Sequence, residues 1–139
     1  MLLSQKLTER MIGLAIEVHR QTGPGLLESV YESCLCLELG RAGIDLRRQV
    51  GVPVTYKGLR LDEGFRADII VAGQVILEIK ALATILPAHE AQLKTHLCMS
   101  GIRIGLLLNF YAPHLKDGLR RFVGQDTSVA LRGSRPSPC

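Results

Sequence analysis

The sequence predicts an α/β (α+β) fold, in which a mixed central β-sheet is flanked by helices. The first 42 residues have apolar residues at helical spacing, β-branched and alternating stretches follow, and a later helical segment separates two strands. Antiparallel hairpins, followed by a helix that crosses to a further strand, produce one sheet with helices packed on it. Hydrophobic residues make up 47% of the chain and aromatic residues only 4%. The core is therefore expected to be mostly aliphatic, and a nucleic-acid site built on a series of stacked aromatic rings is not expected.

Three helices are predicted. In residues 4–22, apolar side chains recur every three or four positions. Gly23 and Pro24 end this helix, because glycine favours a left-handed C-cap and proline cannot continue the hydrogen-bond ladder. Residues 26–42 and 88–100 are predicted to form the other two helices, and each is followed by a glycine.

The strands follow from β-branched composition and from alternation along the chain. They are predicted at residues 49–56, 59–62, 65–71, 75–81 and 103–110, with a last short strand at 119–123. The clearest pair is the hairpin around Gly73. The stretch 103–110 is apolar throughout, which is typical of a strand buried on both faces. The resulting order is α-α-β-β-β-β-α-β, with the short strand last.

Charge and composition divide the chain into a domain and a tail. Residues 1–124 are predicted to form one domain, and residues 125–139, rich in Ser, Gly, Pro and Arg, to form a flexible basic tail. The net charge is +4, but five basic and two acidic residues lie from Leu115 onward, so the body is almost neutral. No apolar run approaches the roughly 20 residues of a membrane span, and no signal peptide is evident. A cytoplasmic protein without a membrane partner is expected.

Two carboxylates face each other across the predicted hairpin. A three-residue turn centred on Gly73 places Asp68 opposite Glu78, with Cβ atoms about 5 Å apart. Such carboxylates repel each other, so a shared proton, a basic side chain or a metal ion must offset the charge. Oxygen ligands favour Mg²⁺ or Mn²⁺ over Zn²⁺. Alternatively, Lys80 on the same face neutralises the pair, and the hairpin is only an ion-paired surface.

Two helical segments carry further polar groups. Glu28 and Tyr31 lie on neighbouring turns of the second helix. Glu28 either reaches over the sheet as a third carboxylate or is stabilised only by the helix dipole, and Tyr31 is alternatively a core aromatic. In the third helix His89, Gln92 and His96 fall on one face. This polar stripe suits contact with a substrate, or it is a plain solvent-exposed face.

The cysteines offer the weakest alternative, a zinc or redox protein. Cys34, Cys36 and Cys98 are expected to be reduced thiols in a cytoplasmic chain. The spacing of Cys34 and Cys36 differs from the usual zinc-ligand spacings, and no C-x-x-C pair occurs.

The polar residues, taken in chain order, form a familiar set. Glu28, Asp68, Glu78-Ile79-Lys80 and Gln92 resemble the motif residues of the PD-(D/E)-x-K nuclease superfamily. More narrowly, Gly25-x-x-Glu28-x-x-Tyr31, Phe65-Arg-Ala-Asp68 and Leu77-Glu78-Ile-Lys80-Ala81 resemble the GxxExxY protein family. The resemblance extends over about residues 7–123. It implies a restriction-endonuclease-like core.

The resemblance also implies a metal site and catalytic residues. Asp68, Glu78 and the carbonyl of Ile79 would bind Mg²⁺ or Mn²⁺, and Glu28 would complete the acidic cluster. Lys80 would orient or activate the attacking water. Gln92 would supply the side-chain amide that the exonuclease-like branch carries in its motif helix.

The sequence departs from the superfamily pattern at two positions. His96 stands where the exonuclease-like branch usually has tyrosine, and Ala67 where the superfamily often has proline. The role of position 96 is therefore open.

The resemblance implies hydrolysis of phosphodiester bonds of DNA or RNA, with nucleic acid as the partner. The expected substrate contacts are Tyr31, Arg66, His89, Lys94 and His96. The alternative is a catalytically silent nuclease-fold protein that acts as a binding or assembly module, with a homodimer as the expected assembly.

Overall fold

The computed structural model describes residues 2–124 of the chain. Its helices are α1 (Leu2–Thr22), α2 (Glu28–Arg41) and α3 (Pro87–Ser100). Its strands are β1 (Leu46–Tyr56), β2 (Leu59–Val71), β3 (Val75–Lys80), β4 (Ile104–Asn109) and β5 (Leu119–Val123), with a short 3₁₀ helix at Leu115–Gly118. The predicted tail, residues 125–139, lies outside the described residues. Within the described part, none of the helices is both long and apolar enough to cross a bilayer.

The strands form one five-stranded sheet in the order β1-β2-β3-β4-β5. Strands β3 and β4 are parallel, and the other neighbouring pairs are antiparallel. The parallel pair requires a crossover, which α3 supplies. The predicted mixed sheet with flanking helices is confirmed.

Helices cover both faces of the sheet. On one face, Met11 of α1 and Leu35 of α2 pack against Leu77 of β3. On the other face, Leu93 of α3 packs against Ile76 of β3. All six residues of β4 are buried, as predicted for the apolar stretch 103–110. The two cores are mostly aliphatic, in agreement with the composition.

Strand β2 corrects one sequence prediction. Residues 59–62 and 65–71 were expected to form separate strands, but they belong to a single strand of 13 residues. Gly64 lies between them, directly against Val54 of β1. A Cβ placed on Gly64 would come within 2.1 Å of Val54 Cγ2, beside a register irregularity in β1. The glycine therefore permits a close approach of two strands and does not interrupt the strand.

The β1–β2 hairpin twists away from the rest of the sheet at Asp68. Strand β2 pairs with β3 only at residues 69–71, in the register that a three-residue turn predicts. In a regular strand Ala67 and Ile69 would share a face. Here Ile69 belongs to the core under α1 and α2, whereas Ala67 belongs to the core under α3. The twist thus occurs at Asp68, where β2 leaves β3.

The cysteines differ in part from expectation. Cys34 and Cys36 of α2 are free thiols. Burial raises the pKa of the Cys36 thiol, which keeps it protonated. Cys98 is disulfide-bonded, so the expectation of a reduced Cys98, which rested only on the assumed compartment, is wrong.

Candidate active site

The Asp68 carboxylate occupies the position where β2 departs from β3. Its Oδ2 atom accepts a hydrogen bond of 2.8 Å from the backbone N–H of Ile79. The pairing of β2 with β3 includes Ile69 and Leu77 but not the neighbouring Asp68 and Glu78. The predicted direct pairing of Asp68 with Glu78 is therefore not formed. Asp68 nevertheless lies beside the end of β3, because its side chain bonds the amide that β2 no longer reaches.

Glu28 reaches the same strand end from α2. Its Oε2 atom accepts a hydrogen bond of 3.2 Å from the backbone N–H of Ala81. In extended backbone, the amides of Ile79 and Ala81 point to one side and lie about 7 Å apart. The carbonyl of a strand residue points to the same side as its own amide. The carbonyl of Ile79 is therefore expected to lie between the carboxylates of Asp68 and Glu28.

Glu78 points toward α3 and is buried, with 8% of its surface exposed. Its Oε1 atom lies 3.4 Å from Nδ1 of His96. The His96 ring is itself stacked on Phe65, with ring centroids 3.9 Å apart. The structure therefore places His96 against Glu78, and the predicted contact of His96 with substrate stays a prediction.

A second layer of polar side chains supports Asp68. Buried Glu32 of α2 forms an ion pair with Arg48 and accepts a hydrogen bond of 2.9 Å from the side-chain amide of Gln49. The same amide lies 3.5 Å from Asp68 Oδ1. Arg66 donates a hydrogen bond of 2.7 Å to the backbone carbonyl of Gln49. The Arg66 guanidinium therefore holds β1 beside the site, and its predicted contact with substrate stays a prediction.

Sequence analysis gives no role to Glu32, Arg48 or Gln49. A usable signal exists for Glu32, because it lies four residues after Glu28 and therefore on the same helix face. Gln49 carries no comparable signal. Its φ of 53° is in the left-handed region, which glutamine seldom adopts, and this conformation arises only with the twist of the hairpin.

The surroundings of Asp68 favour the protonated form of its carboxyl group. Burial, together with the nearby Glu78 and Glu32 carboxylates, raises the pKa of Asp68 to about 6. The amide of Ile79 and the ammonium of Lys80 act in the opposite direction but do not offset the rise in the Asp68 pKa. A cation at this position would relieve the repulsion between carboxylates.

Lys80 and Gln92 are the two other predicted catalytic residues, on β3 and α3. Lys80 is the last residue of β3 and is half-buried. Helix α3 runs opposite to β3, because it returns the chain between two parallel strands. Since His96 contacts Glu78, the helix residue four positions before His96 is expected nearer the carboxyl end of β3. That residue is Gln92, which is exposed. Four helical residues span about 6 Å and two strand residues about 7 Å, so Gln92 is expected near the level of Lys80.

Tyr31 is fully buried. Its hydroxyl accepts a hydrogen bond of 3.0 Å from the N–H of Leu26 and donates one of 2.6 Å to the carbonyl of Gly23. Its ring is stacked on Phe110, with centroids 4.5 Å apart. Tyr31 therefore fixes the loop between α1 and α2, and its hydroxyl is not available for the predicted substrate contact.

The structure does not bring the other two predicted substrate contacts to the acidic cluster. His89 Nδ1 accepts a hydrogen bond of 2.9 Å from the N–H of Leu86 and so caps α3. The Lys94 ammonium lies 5.4 Å from the centre of the Phe122 ring, on β5.

The described residues do not form the predicted cage of three carboxylates, although the donor atoms are of the kind that suits Mg²⁺. Within residues 2–124, no group of three or more His, Cys, Asp or Glu side chains is arranged to hold a metal ion. One oxygen each of Glu28, Asp68 and Glu78 already contacts a protein nitrogen. Mg²⁺ often takes one or two carboxylates and completes its shell with water and phosphate. Asp68, Glu78 and the carbonyl of Ile79 are oxygen donors of the kind that such an ion takes.

Asp68→Asn is expected to change how stability depends on pH in metal-free buffer. Because the pKa of about 6 lies above the ordinary 3.8, the folded state binds the proton more tightly. The stability that this provides is fully present below about pH 4 and is lost as pH rises through about 6. Asparagine keeps an acceptor for the Ile79 amide without the charge, so the variant gains stability relative to the wild type across this window.

Urea denaturation at several pH values, with EDTA present, measures this difference. Asp62→Asn is the control, because Asp62 is exposed near the end of the hairpin. If the stability difference between Asp68→Asn and the wild type is independent of pH, the raised pKa of Asp68 is contradicted.

One comparison with known proteins gives a match. A family model described as the PD-(D/E)XK nuclease superfamily matches residues 5–122. No curated protein and no solved structure matches the chain. The matched range includes every residue of the acidic cluster described above.

Proposed function

Because the chain belongs to the PD-(D/E)XK nuclease superfamily, we propose that it hydrolyses phosphodiester bonds of DNA or RNA with Mg²⁺ or Mn²⁺. The five-stranded mixed sheet with flanking helices is an α/β restriction-endonuclease-like fold. The observation that carries the proposal is that Asp68 and Glu28 accept hydrogen bonds from the amides of Ile79 and Ala81, on either side of Lys80. The narrower membership in the GxxExxY family is part of the proposal.

The residues for a metal ion are Asp68, Glu78 and the carbonyl of Ile79, with Glu28 acting directly or through water. A bound divalent ion supplies charge neutralisation at the phosphate and lowers the pKa of a coordinated water. His96 contacts one oxygen of Glu78, and Asp68 Oδ1 has a contact of 3.5 Å with the Gln49 amide, so the proposed ligands are the second oxygen of Glu78 and, in exchange for that contact, Asp68 Oδ1.

Lys80 and Gln92 act on the water and on the developing charge. The Lys80 ammonium is a compact point charge, held on a rigid strand one residue beyond Ile79. It donates hydrogen bonds to the attacking water or to a phosphate oxygen, where negative charge increases in the transition state. The Gln92 amide orients the water.

Supporting residues keep these groups in place. Gln49 bridges Glu32 and Asp68, and His96, whose ring is stacked on Phe65, contacts Glu78. Such contacts fix the carboxylates before substrate arrives, which electrostatic catalysis requires.

The test is cleavage of end-labelled single-stranded and double-stranded DNA and RNA. Wild-type protein with Mg²⁺ is expected to cleave at least one of these substrates, and EDTA is expected to stop the reaction. Asp68→Asn and Glu78→Gln should lose the activity, whereas Asp62→Asn should retain it. Cleavage that survives in Asp68→Asn at the wild-type rate would contradict the proposal.

A second candidate is a nuclease-fold protein that binds nucleic acid or a second copy without turnover. It is favoured by one observation: protein nitrogens already contact all three carboxylates. Binding of the labelled substrates without cleavage in the same assay would support it.

A further inference from the structure

Beyond Lys80, the surface at the carboxyl ends of β3 and β4 opens into two neighbouring hollows. The first has a volume of about 380 Å³ and includes Thr84, Asn109, Tyr111 and Arg120. The second has a volume of about 430 Å³ and includes His19, Arg20, His114 and Lys116. Pro113 lines both hollows. Asn109, which lines the first hollow, pairs with Lys80 in the sheet, so this hollow lies next to the strand end that carries the candidate active site.

The first hollow presents an exposed aromatic ring. Tyr111 is 48% exposed, and its backbone N–H donates a hydrogen bond of 3.2 Å to Asn109 Oδ1. Buried Asn109 also bonds the N–H and the carbonyl of Leu82, at 3.0 and 2.9 Å. These bonds fix the backbone on both sides of the hollow. The exposed Tyr111 ring, on this fixed backbone, offers a face on which an unpaired base can stack.

The second hollow is basic. Two histidines, an arginine and a lysine line it, and none of its lining residues is acidic. Buried His19 contacts the carbonyl of Ala112 at 2.8 Å through Nε2, which fixes its ring. Within residues 2–124, neither His114 nor Lys116 takes part in an ion pair. An anionic group, such as a phosphate, suits this lining.

We propose that a single strand of nucleic acid extends from the active site along these hollows, with a base stacked on Tyr111 and a neighbouring phosphate bound beside Lys116. The inference rests on the proposed function and deepens it by naming the substrate class. A duplex keeps its bases stacked on each other, so only an unpaired base can cover the Tyr111 ring. A low aromatic content argues against a row of such rings, but one ring suffices for one base.

The test is binding of a labelled oligothymidylate, with EDTA present so that neither metal nor cleavage contributes. Tyr111→Ala is expected to weaken binding about tenfold without changing its salt dependence. Lys116→Ala is expected to reduce the slope of log affinity against log salt by about one. Tyr56→Ala and Lys57→Ala are matched controls, because this exposed pair lies at the far end of the β1–β2 hairpin.

A second readout uses the absence of tryptophan from the chain. Tyr111→Trp introduces a single indole that should retain binding, and its fluorescence should fall when oligothymidylate stacks on it. A duplex of the same length should bind more weakly and leave the fluorescence unchanged.

Three results would overturn the inference: no binding of oligothymidylate by the wild type, equal losses in the Tyr56 and Tyr111 variants, or stronger binding of the duplex. Failure of the proposed function gives a different result. In that case oligothymidylate binds through Tyr111 as expected, but no substrate is cleaved when Mg²⁺ is added.

Discussion

Lys80→Met is expected to lower Mg²⁺-dependent cleavage by about 100- to 1,000-fold, because it removes a positive charge directed at the reacting phosphate. Methionine has a similar length and keeps the packing of the stem at the end of β3. Lys80 supplies no metal ligand, so the variant should still gain thermal stability from Mg²⁺. The two readouts separate the chemical role of Lys80 from metal binding.

The measurement is the single-turnover cleavage rate on the best wild-type substrate, together with the melting temperature at several Mg²⁺ concentrations. Lys57→Met is the control, since Lys57 lies beside Tyr56 at the hairpin turn. An unchanged cleavage rate in Lys80→Met would mean that Lys80 takes no part in the reaction, or that a contaminant cleaves.

Tyr31→Ala is expected to lower the free energy of unfolding by about 3–5 kcal/mol, the usual cost of truncating a large buried aromatic. The change leaves a cavity beside Phe110 and removes the partner of the backbone groups of Leu26 and Gly23. Tyr31→Phe keeps the ring and should cost about 1–3 kcal/mol, because two partly buried hydrogen bonds are lost.

Urea denaturation monitored by circular dichroism measures both changes. Tyr111→Ala is the control, because that ring is about half exposed and should cost less than about 1 kcal/mol. If Tyr31→Ala unfolds like the wild type but loses nucleic-acid affinity, Tyr31 is a substrate contact after all.

Much of the fold follows from local pattern. Helical periodicity predicts the three helices, and the turn around Gly73 predicts the register in which Val71 pairs with Val75. The helices and the hairpin register both depend on residues that are close in sequence. The continuity of β2 could not be predicted in this way, because Gly64 acts through its contact with Val54 across the hairpin. A glycine that ends a strand and one that permits close approach have the same local sequence.

The candidate site also contains residues that local sequence pattern predicts and residues that it does not. Asp68, Glu78 and Lys80 lie on two adjacent strands, so alternation alone places them near one another. Helical polar residues are harder to assign, because either face of a helix can meet the core. His96 and Tyr31 were expected to contact substrate, but tertiary packing buries both. Gln49 has no sequence signal, since its position depends on the twist of β1 and β2.

The measurement that tests the metal site most directly is anomalous diffraction from a crystal soaked in Mn²⁺. We expect one strong peak at the end of β3, about 2.0–2.2 Å from oxygens of Asp68 and Glu78 and from the carbonyl of Ile79. If Mn²⁺ binds only elsewhere, or not at all, while these three groups keep the positions described above, the account of this protein as a metal-dependent nuclease is contradicted.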